Sequence, residues 1–427
     1  IDTTASAPTL ALASDTGSSN TDRITNNRSV NVTGLETGAT WQYSINSGTS
    51  WTAGSGTSFV LAPGTYAAGS IQARQTDQAG NTSAHAQLGS SVTIDTQALA
   101  PSLALASDTG SSSTDGITNN TAVNVTGLET GASWQYSLNG GSSWTTGSGS
   151  SFDLSPGTYN ADSILARQID QAGNTSATRQ LGFPVTIDIT APNSPTLALA
   201  SDTGRSTSDG ITNNTAVTVT GLETGASWQY SLNGGSSWAT GSGSSFVLSP
   251  GTYDTGSIRA RQIDQAGNIS AVGTLGPVTI DTTAPTAPTL ALGSGVALGS
   301  TAAEATANTG VVTVTAEMDA AVAVTFTNNT KTIVKNVTGN GSAVVPVLLD
   351  SDDLATLGDG TITVSAVATD AAGNASTAGT TSFRLDTTAP DAPTLALGTG
   401  VEFGATATEA TANTGVVTVT TENAAVV

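Results

Sequence analysis

The residues best placed to do chemistry in this 427-residue chain are carboxylates that return to fixed slots about every 93 residues. One slot set reads Ser107-Asp108-Thr109-Gly110, then Asp115-Gly116-Ile117-Thr118-Asn119; its counterparts carry Asp15, Asp22 and Asn26, and Asp202, Asp209 and Asn213. A second reads Asp-x-Ala-Gly-Asn, opening at Asp77, Asp170, Asp264 and Asp370. A third reads Ile-Asp-Thr or a variant, at Asp2, Asp95, Asp188, Asp281 and Asp386, and Gly-Leu-Glu adds Glu36, Glu129 and Glu223. With the aligned Glu304 and Glu409, 20 of the 32 acidic side chains occupy such slots. Carboxylates gathered without a base repel one another. A hard divalent cation resolves that conflict, and Ca²⁺ accepts six to eight oxygen ligands in flexible geometry where Mg²⁺ demands a strict octahedron. The absence of Cys and a single His argue against zinc or copper. The expected metal ligands are therefore Asp15, Asp22, Asn26, Asp77, Asp95, Asp108, Asp115, Asn119, Asp170, Asp188, Asp202, Asp209, Asn213, Asp264, Asp281, Glu304, Asp370 and Asp386.

A plainer role competes at each position, because Asp and Asn also shape tight turns, and the Gly-Leu-Glu glutamates could equally be solvated side chains. Residues 285–389 are the better witness, having changed nearly everything else. They keep Asp370-Ala371-Ala372-Gly373-Asn374 and Asp386-Thr387-Thr388-Ala389-Pro390, with Glu304 and Asn308 spaced before Val314 as Asp115 and Asn119 are before Val125. The first Asp of the slot set has no partner there.

Other chemistry finds less support. His85 occurs in one copy only, its counterpart being Thr178, and without Cys or a recurring His the usual acyl-transfer triads are out of reach. Paired carboxylates for glycoside hydrolysis need a cleft, whereas these acids fall at domain poles; no enzyme is expected. Trp51, Trp144 and Trp238 follow an Asn- and Gly-rich turn and offer the alternative of a glycan-stacking array, although core or rim packing explains them more simply. Ser137-Leu138-Asn139-Gly140-Gly141-Ser142-Ser143-Trp144 resembles the Asp-box hairpin of sialidase-type propellers, with Asn for Asp, and reads as a stabilised turn.

Only 10% of residues are charged, and 32 acids face 11 bases for a net charge of −21. Nucleic acid and anionic membranes both need a basic footprint, so neither is an expected partner. Disulfides are excluded, and no run of 18 apolar residues is present to span a membrane.

The elements that must hold these slots follow from the repeat. Trp41-Gln42-Tyr43-Ser44 returns at Trp134 and Trp228, offsets of 93 and 94, a period that means tandem whole domains rather than a solenoid. Within one copy, short alternating apolar runs separated by Gly, Asn, Ser and Pro predict strand A at 102–106, B at 123–127 and C at 134–138. A strand near Trp144 follows, then E at 152–154, F at 164–169 and G at 185–187, with Pro156–Tyr159 as a turn. Seven such strands make an all-β, immunoglobulin-like antiparallel sandwich, and no helical stripe is evident. The expected organisation is 1–7 as the tail of a preceding repeat, then repeats at 8–97, 98–190 and 191–284. A divergent repeat follows at 285–389, and 390–427 is the truncated start of a fifth, too short to bury a core. In such a sandwich the A–B loop and the end of strand G share one pole, and the B–C and F–G loops share the other. End-to-end stacking should then bring Asp108, Asp115 and Asp188 towards Asp264 and Glu223 of the next repeat.

Taken together, Asp-x-Ala-Gly-Asn, Asp-Thr-Thr-Ala-Pro and Ser-Asp-Thr-Gly…Asp-Gly-Ile-Thr-Asn resemble the bacterial immunoglobulin-like repeats of giant Gram-negative surface adhesins, the type I-secreted RTX and biofilm-associated proteins. The resemblance covers essentially the whole chain. It implies an extracellular spacer on the bacterial surface, partnered by its own neighbouring repeats and stiffened by Ca²⁺ at the junctions. It also implies a distal domain, outside this sequence, that binds a host-cell, surface or glycan target.

Overall fold

The computed structural model describes all residues except 403, 412–414 and 422–427. It divides into two compact units, one comprising 1–195, 221–229 and 260–273, the other 196–220, 230–259 and 274–427.

In the first unit, alternation dictates the packing of residues 98–190. Val123 and Val125 are buried while Asn124 and Thr126 between and after them face solvent, the period-2 pattern of a half-buried strand. Strand B, Ala122–Thr126, sits between strand A, Ser102–Leu105, and strand E, Ser151–Asp153, in one antiparallel sheet. Facing it is a four-stranded sheet in the order Thr145–Thr146, Ser133–Ser137 (strand C), Leu165–Ile169 (strand F), Arg179–Gln180. Trp134 on strand C is 3% exposed and packs at the centre with Val123, Phe152 and Ile187. Residues 9–94 repeat this arrangement around Trp41, Phe59 and Ile94.

Three features depart from the expected seven strands. Ile117–Thr118, at the end of the A–B loop, runs parallel to strand G, Val185–Ile187. Gly157–Tyr159 is not a turn but a strand antiparallel to the same strand G, and Arg179–Gln180 adds a further edge. Strands of two or three residues carry too little alternation to be read as such. The Asn139 hairpin does behave as a stabilised turn: Asn139 Oδ1 accepts from the Ser137 hydroxyl at 2.8 Å and the Ser143 amide at 2.9 Å.

The second unit contains two three-stranded sheets of the third repeat, Thr196–Leu199/Ala216–Thr220/Ser245–Val247 and Ile211–Thr212/Val278–Ile280/Gly251–Tyr253. It also contains the whole of the divergent repeat, whose four-stranded sheet has long strands: Lys331–Thr338, Ala321–Asn328, Gly360–Thr369, Gly379–Leu385. The core gathers Phe326, Leu357, Ile362 and Leu385. Two short helices were not expected, α1 at Ala302–Ala305 and α2 at Ser351–Leu357. Both open with a capping box, Thr301/Glu304 and Asp350/Asp353, the pattern that satisfies two orphan amides reciprocally. In α2, Leu354 and Leu357 are spaced by three and turn one face inward. The only two lysines of the chain lie on the long edge strand 331–338, where Lys335 pairs with Asp353 and Asp350 of α2; charge on an edge discourages pairing with another chain. Thr394–Leu397 and Val417–Thr420 of the fifth copy pair with each other, but Leu395 and Val417 remain 69% and 45% exposed, so no core covers them. The rest of the expectation for 390–427 falls partly on residues outside those described.

Trp134 is positioned by Gly147, where an added Cβ would lie 2.3 Å from the indole. Trp134→Ala is expected to destabilise its repeat by about 3–5 kcal/mol, and Gly147→Ala by about 1–3 kcal/mol through overpacking. Denaturant titration followed by Trp fluorescence checks both; a neutral Gly147→Ala would refute the close approach.

Candidate functional site: the junctions between repeats

The slot residues do gather where consecutive repeats meet, but main-chain carbonyls, rather than carboxylates, form the contact. In the first unit the Thr16 hydroxyl of the first A–B loop donates to the Ala172 carbonyl of the next F–G loop at 2.9 Å. Ser18 N donates to Gln171 O at 3.1 Å. The Thr109 hydroxyl meets Ala266 O at 2.8 Å in the same way, with Ser111 N on Gln265 O and Asn119 N on Ala266 O, both at 3.2 Å. In the second unit Thr203 meets Ala372 O at 2.9 Å, with Arg205 N on Ala371 O at 3.2 Å. The Arg205 guanidinium also donates to the Asp319 carbonyl of the divergent repeat.

Glycine permits this approach. An added Cβ on Gly17, Gly110 or Gly204 would sit 1.9, 2.0 or 2.0 Å from the carbonyl oxygen of Gln171, Gln265 or Ala371. Each of these glycines also has a φ of about +100°, between 97° and 102°, which side chains resist.

The connecting segment is tied down separately. Asn174, Asn268 and Asn374 donate through Nδ2 to the carbonyls of Asp95, Asp188 and Asp281, at 2.9, 2.8 and 2.9 Å. Gln168, fully buried on strand F, donates to Leu99 O at 2.6 Å and Gly127 O at 3.2 Å and accepts from Glu129 N. Gln75 and Gln262 do the same for Ser6 and Asn193. Glu36 and Glu129 accept from the connecting amides of Ser6 and Leu99. Neither these glutamines nor the Thr-Gly pair is among the expected site residues. Their signal was present in the recurring Ala-Arg-Gln-x-Asp and Ser-Asp-Thr-Gly strings.

The expected ligands divide by what their oxygens already do. Asp77, Asp170, Asp264 and Asp370 close their own loops, accepting from the amide and the Nδ2 of the Asn four residues on. The Asn81 side chain in this way holds the Asp77 carboxyl below the usual aspartate range. Asp22, Asp115 and Asp209 are exposed and cap the amide two residues on, as do Asp95, Asp188, Asp281 and Asp386. The Oδ1 atoms of Asn26, Asn119 and Asn213 lie 2.8, 2.8 and 2.7 Å from the junction threonine hydroxyls, whose single proton they share with the neighbouring carbonyl. Glu304 takes the backbone amide and hydroxyl of Thr301, which lower its pKa; it caps α1 instead of lying in an extended loop.

Asp15, Asp108 and Asp202 differ. One oxygen of each accepts a loop amide, from Arg23, Gly116 and Gly210 at 2.8, 2.9 and 3.0 Å. The other, Oδ1, is buried without a hydrogen-bond partner in all three. A buried unpaired carboxylate oxygen is costly. No three acidic or His side chains cluster to hold a metal among the described residues, so the convergence of several carboxylates expected from topology is not how the poles meet.

Trp51 and Trp144 are half-buried, and the guanidinium carbons of Arg74 and Arg167 lie 4.1 Å above their rings. Each such ring has one face covered by a cation. Trp238 is likewise half-buried. His85 is exposed.

In the divergent repeat a carboxylate that sequence reading passed over, Asp359, accepts from the Thr387 hydroxyl, the Thr387 amide and the Thr388 hydroxyl, at 2.7, 2.8 and 2.7 Å. The Thr387 hydroxyl leads in lowering its pKa. A lowered carboxyl contributes stability above its unfolded pKa of about 3.9 and loses it as pH falls through the lower folded value. Asp359→Asn should therefore lose stability at neutral pH and show a flatter acid limb below about pH 4 in thermal melts; an unchanged acid limb would discount this contact. Gly110→Ala should leave both flanking repeats folded yet free their connection, seen as unaltered near-ultraviolet dichroism with cleavage between 189 and 195 accelerated by about tenfold or more.

Residues 2–96 match the family model for the bacterial Ig-like domain. None of the curated proteins matches the chain. Among solved structures the chain is similar to the FN1–FN3 domains of chicken CNTN1, at 12% identity over 68% of this chain and 99% of that one, with a TM-score of 0.24. It is also similar to part of a 1.5-MDa bacterial ice-binding adhesin, at 18% identity over 68% and 100%, TM-score 0.23. Fibronectin(III)-like modules of Clostridium thermocellum CbhA align at 15% identity over 40% and 85%, TM-score 0.24. TM-scores at this level carry no functional argument. The family match is confined to the first repeat, and residues 98–190 repeat its strands in the same order.

Proposed function

We propose that this chain is a non-catalytic spacer: a run of the extracellular stalk of a bacterial surface adhesin, holding a distal binding domain away from the cell. The observation that carries this reading is that the A–B loops of the first three repeats each bond to the F–G loop of the next repeat while the connecting residues are fastened independently. Repeats joined in this way transmit position. The chain's surface supports the same role, since at a net charge of −21 it has little affinity for nucleic acid or anionic membrane.

Calcium belongs to the same proposal. The buried, unpaired Oδ1 atoms of Asp15, Asp108 and Asp202 fit a cation, because a carboxylate oxygen without a donor is what a hard ion satisfies. Each of those three aspartates would hold one ion in its own repeat, with main-chain and amide oxygens of the surrounding loop completing the shell. When bound, the ion would neutralise the loop's negative charge. The aspartate meanwhile fixes the loop through the amide it already accepts, which keeps the following Thr-Gly pair in place against the neighbouring repeat.

Two measurements test this reading. Small-angle scattering should show a larger maximum dimension in millimolar Ca²⁺ than in chelator, and an unchanged dimension would refute stiffening by the ion. A site that binds only the folded state adds about 2.7 kcal/mol at a ligand concentration one hundred times Kd. The triple change Asp15→Asn, Asp108→Asn, Asp202→Asn should abolish most of the Ca²⁺-dependent rise in Tm; a rise of the same size would place the ion elsewhere.

A further inference from the structure

The junctions form by insertion of one loop against another, so a repeat can present a donating face, an accepting face or both, and the number of each can be compared. Among the described residues three Thr-Gly loops act as plugs, at Thr16, Thr109 and Thr203, and each is engaged. Four Asp-x-Ala-Gly-Asn loops have the form of a socket. Three are filled: Ala172, Ala266 and Ala372 are at most 1% exposed. In those three, an added Cβ on Gly173, Gly267 or Gly373 would meet plug backbone at 3.1, 3.0 or 2.9 Å. The fourth socket is open, since Ala79 and Gly80 are exposed and a Cβ on Gly80 would meet nothing within 4 Å.

The open socket is already formed. Asn81 bonds both oxygens of Asp77 at 2.8 Å, as in the filled sockets, and its Nδ2 reaches the Asp2 carbonyl at 3.1 Å. What the Thr-Gly plug reads is main chain, with Asn119 Nδ2 adding one side-chain contact, to Asn268 Oδ1 at 3.3 Å. Its acceptors are the carbonyls of Gln171 and Ala172, of Gln265 and Ala266, and of Ala371 and Ala372, so the socket's side chains can change from Gln to Ala without loss of the contact. The plug, by contrast, needs both the hydroxyl and the glycine. The divergent repeat has the socket but carries Gly293-Ser294-Gly295 and a capped helix where the plug would be.

We infer that the loop Asp77–Asn81 is a docking surface for one kind of partner: a repeat that bears a Ser-Asp-Thr-Gly loop and is joined through an Ile-Asp exit at the position of Ile1-Asp2. A plugless repeat of the divergent type, joined at the same place, does not seat. This inference rests on the junction geometry alone and holds whether or not a cation binds and whatever the array is used for.

The experiment extends the full chain at Ile1 and is run in chelator, which separates its outcome from that of the calcium reading. One extension is a copy of residues 98–186; a second is the same copy with Gly110→Ala; a third is a copy of residues 285–384. Cleavage within residues 3–7 by a broad-specificity serine protease is followed for each. The Thr-Gly extension should slow cleavage by about tenfold or more relative to the other two, as protection by a formed contact does. As a second readout, Ala79→Cys, the sole cysteine in each chain, should react with a thiol reagent fastest where no plug is seated. Equal cleavage in all three chains, or equal protection by the plugless copy, would overturn the inference.

Discussion

A hydroxyl and a bare glycine backbone pressed against two peptide carbonyls is the contact on which the arrangement of repeats depends. The Thr109 hydroxyl supplies a donor to Ala266 O, and Gly110 supplies the room, since any side chain there would collide with Gln265 O at 2.0 Å. Such a contact buries polar main chain, which is tolerable because the carbonyls of Gln265 and Ala266 each accept a hydrogen bond. It also has little dependence on side-chain chemistry. That explains how the divergent repeat, with Ala371 in place of Gln265, accepts the same loop.

Around that contact the acidic residues do two different jobs. Most are consumed locally: the F–G aspartates by the Asn four residues on, the exit aspartates by the amide two residues on. These are structural uses, and they place the negative ends of the side chains against donors that fix a turn. Asp15, Asp108 and Asp202 stand apart because burial without a partner leaves an oxygen with unmet demand. The same loop therefore contains both the plug and the proposed cation site, which links the two physically.

Much of this was legible in the sequence because repetition exposes it. The alternation of Val123 and Val125, the buried Trp134 and the Asn-Gly turn all carry local signals strong enough to read. The two-residue strand at Ile117–Thr118 and the strand at Gly157–Tyr159 were not legible, because their pairing is with the distant strand 185–187 and alternation cannot declare itself over two or three residues. Helix α2 carried a legible signature in Asp350 and Asp353 followed by Leu354 and Leu357, but it is too short to form a periodic stripe. Gln168 was invisible as a tether, since nothing near it in sequence marks it as buried; its partners lie 69 and 41 residues away.

By itself the sequence determined the class of fold, the tandem organisation and the loops in which the acids lie, because apolar periodicity and turn chemistry act over a few residues. Only the tertiary structure decided which atoms of those loops are in use. Hydrogen-bond capacity is shared out in three dimensions: which aspartate oxygen is spent depends on how its own loop closes, and whether a glycine faces solvent or a neighbour's carbonyl depends on chain brought back from more than a hundred residues away.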